Sequence, residues 1–128
     1  MRWKLRLVEP WSTGEGPYIV GNCWFGGPES AKSPRLANYY KSHNSHREPL
    51  WVVLPGTGPV CVDYTASNDP SMKGWTVTGD VSNLTVAPSI RCGDTYHGYI
   101  QNGHVTADCD GRKYVDNEYY DYTTNLVT

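Results

Sequence analysis

Phenylalanine occurs once and methionine twice in these 128 residues, so the bulk of the aromatic content rests on five tryptophans and ten tyrosines. Such rings have polar edges and serve both cores and wet contact surfaces. Long apolar runs are also missing. The opening residues, Met1-Arg2-Trp3-Lys4-Leu5-Arg6-Leu7-Val8, alternate charge with bulk, which suits neither a signal peptide nor a spanning helix. A cytosolic protein with no membrane contact is expected. Basic excess is lacking too: with 19% charged residues and a net charge of −2, the chain has no balance suited to a phosphate backbone, and nucleic acid is not an expected partner. Cys23, Cys61, Cys92 and Cys109 lack the close pairs of a zinc ribbon, and a chain of this length can fold without staples. Buried free thiols are the expected state, with disulfides reserved for an exported protein. The sequence contains no glycine-rich phosphate loop, nucleophile elbow, internal repeat, heptad run or low-complexity block.

What is present is a chain of one-domain length punctuated every few residues by turn signals. Residues 1–47 hold seven Lys or Arg against three Glu, and residues 48–128 hold four against ten acids, a basic front and an acidic back. Trp3, Leu5 and Leu7 alternate with Arg2, Lys4 and Arg6, as in a strand with one buried face. Tyr18 to Phe25 reads as a second strand. Ser33 followed by Pro34 predicts the one short helix, over residues 33–41. Leu50–Leu54 and Val60–Tyr64 flank Pro55-Gly56-Thr57-Gly58-Pro59 and predict a hairpin at the centre of a sheet. Trp75–Thr78 and Leu84–Ala87 are further strands, the latter closed by Pro88. Tyr96–Gln101 and His104–Ala107 enclose Asn102-Gly103, the dipeptide best suited to a two-residue hairpin turn. Residues 112–128 carry Tyr114, Tyr119, Tyr120 and Tyr122 among acids and read as a last strand, an extended arm on a neighbour, or a loose tail. The expected fold is all-β: one domain over residues 1–128, a small antiparallel sandwich or partly open barrel of about six to eight strands with one short helix.

Cys92, His97, His104 and Cys109 invite a four-coordinate zinc, but the hairpin argues against it. With the turn at 102–103, Gln101 faces His104, Ile100 faces Val105, Tyr99 faces Thr106 and His97 faces Asp108. The imidazoles then stand four residues apart, roughly 13 Å at about 3.3 Å per residue, too far for one ion. A zinc site would need Cys92, one histidine such as His97, and ligands from elsewhere such as Cys61 or Cys23. His97 opposite Asp108 is also the pairing a general base needs, with Ser89, Thr95 or Cys92 nearby as nucleophiles; an exposed cross-strand pair looks the same. His43 and His46 read as loop histidines, and Asn83-Leu84-Thr85 as a chance glycosylation triplet.

The segments Trp75-Thr76-Val77-Thr78-Gly79, Leu84-Thr85-Val86-Ala87-Pro88-Ser89-Ile90, Tyr96-His97-Gly98-Tyr99-Ile100 and Asn102-Gly103 resemble a family of small, uncharacterised proteins of bacteriophages and prophages, with relatives in bacterial ubiquitin-like operons. The shared signature is Pro-Ser-Ile followed by an aromatic-His pair and a glycine turn. The resemblance covers Leu50 to about Thr106. In the operon-type relatives it implies a small zinc-bearing β unit with a cysteine cluster before Pro-Ser-Ile. This chain has Cys61 and Cys92 in those neighbourhoods and lacks the cluster. Only Pro88, Ser89, Ile90, Tyr96, His97, Gly98 and Gly103 carry over, as a structural signature.

The preferred functional expectation is a non-catalytic phage-type binding protein that needs no cofactor. It would meet a host protein or small ligand through an aromatic and acidic surface: Tyr96, His97, Tyr99, Tyr119, Tyr120 and Tyr122. The resemblance implies host takeover or counter-defence in the host cytoplasm. One alternative is a virion or filament subunit that self-associates through its aromatic tail. The other is a small hydrolase using His97 and Asp108.

Overall fold

The structure, a computed structural model, describes residues 1–8, 17–25, 50–62 and 75–127. Twelve short strands are found there: β1 (Arg2–Lys4), β2 (Arg6–Leu7), β3 (Tyr18–Ile19), β4 (Asn22–Phe25), β5 (Leu50–Leu54), β6 (Gly58–Val62), β7 (Thr76–Thr78), β8 (Thr85–Cys92), β9 (Tyr96–Gln101), β10 (His104–Thr106), β11 (Tyr120–Asp121) and β12 (Leu126–Val127). They form a six-stranded sheet in the order β12-β1-β10-β9-β8-β7, a four-stranded sheet β2-β4-β5-β6, and a two-stranded pair β11-β3. The all-β expectation holds, as a sandwich of mostly antiparallel sheets that does not close into a barrel. Among the described residues the one helical element is a 3-10 turn, Val81–Asn83, capped by the Asp80 side chain. The helix expected over residues 33–41 lies outside the described residues, as do His43 and His46.

The N-terminal segment joins the two larger sheets, and Leu5 is the corner. Trp3 pairs with Val105 in the first sheet, whereas Arg6 pairs in parallel with Asn22 in the second. Leu5 donates its N–H to the Gly103 carbonyl at 2.9 Å, and Arg6 donates to Gly21 at 3.0 Å. A strand that changes sheets cannot keep one alternation. Trp3 and Leu5 are therefore buried while Leu7, expected inward, is exposed.

The two hairpins follow the sequence. β5 and β6 pair from Leu50↔Val62 to Leu54↔Gly58, and β5 lies inside its sheet with β4 on its other side. Leu50, Val52, Val53 and Leu54 are all buried, and since successive side chains alternate, both faces of the strand are covered. β9 and β10 pair as Gln101↔His104 and Ile100↔Val105, with positive φ at Asn102 (49°) and Gly103 (77°), as the Asn-Gly turn requires.

Pro88 does not close a strand. β8 runs through it, pairing Val86↔Ile100 and then Ile90↔Gly98 across a register shift. A bulge is where a residue without an N–H fits a sheet interior. One buried cluster, containing Trp3, Trp24, Leu50, Ile90, Tyr96 and Ile100 among others, spans the two larger sheets. Residues 112–127 close over it: β12 pairs with β1, and β11 with β3. Of the three readings of this stretch, its strands pair within their own chain.

Candidate functional site

Beyond Val105 the β9–β10 ladder gives way to side chains. The Tyr99 N–H donates to Thr106 Oγ1 at 2.9 Å, and the Tyr96 hydroxyl donates to the Thr106 carbonyl at 2.7 Å. The His97 N–H donates to Asp108 Oδ1 at 2.8 Å, while Cys109 returns its N–H to the His97 carbonyl. Asp108 is opposite His97 as expected, yet its carboxylate holds the backbone and not the ring. Its other partners are the Arg112 N–H at 2.8 Å and the Arg112 guanidinium at 2.9 Å.

The imidazole has different neighbours. Nε2 lies 3.2 Å from Ser89 Oγ, and Nδ1 lies 3.5 Å from Asp110 Oδ1. Asp110 is held in turn by Arg112 at 3.2 Å and Arg91 at 3.8 Å. The hydrogen bond with His97 pulls the Asp110 carboxyl below its ordinary range; slight desolvation opposes this, and Arg112 adds to it. The expected register stands at Ile100↔Val105, but β10 ends at Thr106, one residue short of the expected strand. A turn at Asp108–Gly111, closed by the Gly111 N–H on the Asp108 carbonyl, brings the second aspartate to the ring. The Asp-Cys-Asp-Gly string was the available signal.

The zinc candidates separate. Cys92 pairs with Tyr96, and Arg91 with His97, so Cys92 and His97 project from opposite faces of the sheet. Cys61 belongs to β6 in the other sheet. His104 stays at the turn, Nδ1 at 2.9 Å from the Asn102 carbonyl. No group of three or more His, Cys, Asp or Glu side chains gathers as a metal site among the described residues. Cys23, Cys92 and Cys109 are free thiols: Cys23 is buried and its thiol is pushed up to about 12 by desolvation, Cys92 is half-buried, as is Cys61, and Cys109 is exposed. The expectation of buried thiols thus fails at Cys109, which sits in the exposed turn.

The aromatic residues divide into core and surface, and two of the expected contact residues are core. Tyr96 is fully buried, its ring laid over Gly98, where a Cβ would collide with it. Tyr122 is buried too: its carbonyl accepts the Trp3 indole N–H at 3.0 Å, and its hydroxyl accepts the Gly56 N–H at 3.0 Å. Tyr114 stacks on Tyr122 at 5.3 Å and donates its hydroxyl to the Thr95 carbonyl. Burial raises its phenol to about 12, with a further push from Asp108. Tyr99 and Tyr119 lie at the surface, Tyr119 being 65% exposed, while Tyr120 is half-buried against the core. Tyr18, absent from the sequence-based set, joins them. Parallel pairing sets it beside Tyr120, with ring centroids 6.0 Å apart, and its N–H donates to the Tyr119 carbonyl. Residues 116–121 hold Asp116, Glu118 and Asp121 and no base; Asp116 and Asp121 accept from N–H and hydroxyl groups of residues 122–124.

The lowered pKa of Asp108 predicts acid sensitivity. Its carboxylate is shut off from solvent while lying just beneath the surface. Desolvation opposes its ionisation, but the N–H groups of Arg112 and His97 and the Arg112 guanidinium outweigh this, so its pKa is lowered. A group with a depressed folded-state pKa stabilises the fold above its unfolded value, about 4, and loses that contribution as pH falls through the folded value. Asp108→Asn is expected to lower the melting temperature at neutral pH and to flatten its decline below about pH 4. Melting curves of both proteins from pH 7 to 2 measure this; parallel curves would remove Asp108 from the account.

The fold and these surfaces define a small all-β sandwich with an exposed tyrosine and carboxylate patch and, apart from it, a Ser89–His97–Asp110 cluster on the outer face of β8 and β9. Comparison of the chain with family models, curated proteins and solved structures gives no match. No helix among the described residues is long and apolar enough to cross a membrane.

Proposed function

We propose that the protein is a binding protein that recognises a cationic segment of a protein partner through Tyr18, Tyr119 and Tyr120. The carrying observation is the exposed pair Tyr18 and Tyr119, with Tyr18 set beside Tyr120 by the β3–β11 pairing, in a segment whose sequence holds Asp116, Glu118 and Asp121. Tyrosines offer broad contact area at low entropic cost, and their ring faces attract Lys and Arg side chains. The segment that carries Tyr119 and Tyr120, residues 114–122, holds three acids and no base. By resemblance of the Pro-Ser-Ile and Tyr-His-Gly segments, the setting is a phage-infected cell and the partner a host protein. The tail's pairing within its own chain supports this reading over a filament or virion subunit.

A fluorescent oligoarginine peptide is expected to bind and an oligoglutamate peptide to fail, as read by anisotropy. Removing one ring with Tyr119→Ala should weaken binding about tenfold, the scale of a contact hot spot. Added salt should weaken it further. Equal affinity in the Tyr18→Ala, Tyr119→Ala double variant would overturn the proposal.

A further inference from the structure

On the outer face of β8 and β9, strand alternation and the bulge bring three polar side chains together. Arg91 stands directly opposite His97, and Ser89, two positions before Arg91, shares its face. Ser89 Oγ meets His97 Nε2 at 3.2 Å, and Asp110 Oδ1 meets His97 Nδ1 at 3.5 Å. A hydroxyl on one ring nitrogen and a carboxylate on the other is the connectivity that turns a serine into a nucleophile, and such contacts are commonly longer before substrate binds. The backbone that carries the ring is held at both ends, the His97 N–H by Asp108 and its carbonyl by Cys109. Half-buried Ser89 and His97 leave the face open to a ligand. The exposed Arg91 guanidinium supplies positive charge beside them.

We propose that Ser89 is a nucleophile for carboxylic esters, with His97 its general base, Asp110 a positioning residue, and Arg91 the group that meets negative charge developing on the substrate carbonyl oxygen. With Nδ1–H directed at Asp110, Nε2 accepts the Ser89 hydroxyl proton as Oγ bonds to the carbonyl carbon. The ester C–O bond breaks, and the leaving oxygen takes that proton from Nε2. Water then attacks the acyl-serine. Its proton passes through Nε2 to Ser89 Oγ, releasing the carboxylic acid and restoring the side chain. The ester must be small or extended, since the site is a strand face. None of these residues belongs to the tyrosine patch, so this proposal stands or falls apart from the binding reading.

The test is a fluorophosphonate probe, which loses fluoride as phosphorus bonds to an activated serine oxygen. Peptide mapping should place one adduct on Ser89, absent in Ser89→Ala. Labelling should slow by roughly 100-fold or more in His97→Ala, the scale of a lost general base, and recover in part with free imidazole. His97→Gln serves if the alanine variant does not fold. Asp110→Asn should slow labelling and remove the downfield Nδ1 proton resonance, which a purely structural carboxylate would not produce. An unlabelled wild-type protein, an adduct on another residue, or His97 variants labelled at the wild-type rate would overturn it.

Discussion

Replacing Trp3 with alanine is expected to lower the unfolding free energy by about 3–5 kcal/mol, the range for truncating a buried large aromatic. Trp3 is fully buried and packs edge-on against Tyr114 at 6.2 Å and obliquely against Tyr122 at 6.2 Å. Its indole N–H is held by the Tyr122 carbonyl. The residue joins the first strand to the last aromatic of the tail, and Tyr122 in turn reaches Gly56 in the β5–β6 loop. Loss of the ring therefore leaves a cavity, an unpaired carbonyl and a weakened tie between the sheets. Denaturant titration measures the loss. Trp3→Phe should lie between, retaining apolar area while losing the hydrogen bond, at about 1–3 kcal/mol. A change below about 1 kcal/mol in the alanine variant would show that the tail holds without it.

Gly103→Ala should cost about 3 kcal/mol or more, for two reasons that add. Its φ of 77° lies in the left-handed region, where a side chain costs roughly 1–2 kcal/mol. A Cβ there would also run into the backbone carbonyl of Ser82, which cannot swing aside as a side-chain tip could. Gly103 also donates to the Leu84 carbonyl and accepts from the Leu5 N–H, both at 2.9 Å. Any shift of this glycine thus disturbs the corner at Leu5 as well as its own hairpin. Asn102→Gly is the control: its neighbour in the same turn is exposed, and the change should stay within about 1 kcal/mol. Equal melting temperatures for the two variants would contradict this account.

What could be read in advance was local. The turn at 102–103 and its register, the β5–β6 hairpin and the buried Trp3 rest on residues whose conformational preferences act over a few positions. Leu7, Pro88 and Asp110 were not legible in the same way. Leu7 is exposed because the chain changes sheets at Leu5. Pro88 stays within a strand because a bulge in the β8–β9 pairing receives it. Asp110 faces His97 because the ladder ends at Thr106 and the next turn reverses the chain.

The tyrosines divide along the same line. Alternating strands in an acidic chain predict rings on one face or the other, and sequence cannot say which rings meet a second layer. Tyr96 and Tyr122 are core because Gly98 leaves room for one and Trp3 and Gly56 receive the other. Tyr18 and Tyr119 are surface because two short strands, distant in sequence, pair at the edge of the molecule. The sequence by itself thus determined strand content, the Asn-Gly turn and the charge of each region, all consequences of short-range sterics and composition. Only the tertiary structure decided which carboxylate meets the imidazole and which rings face water, because those depend on where separate sheets and turns come into contact.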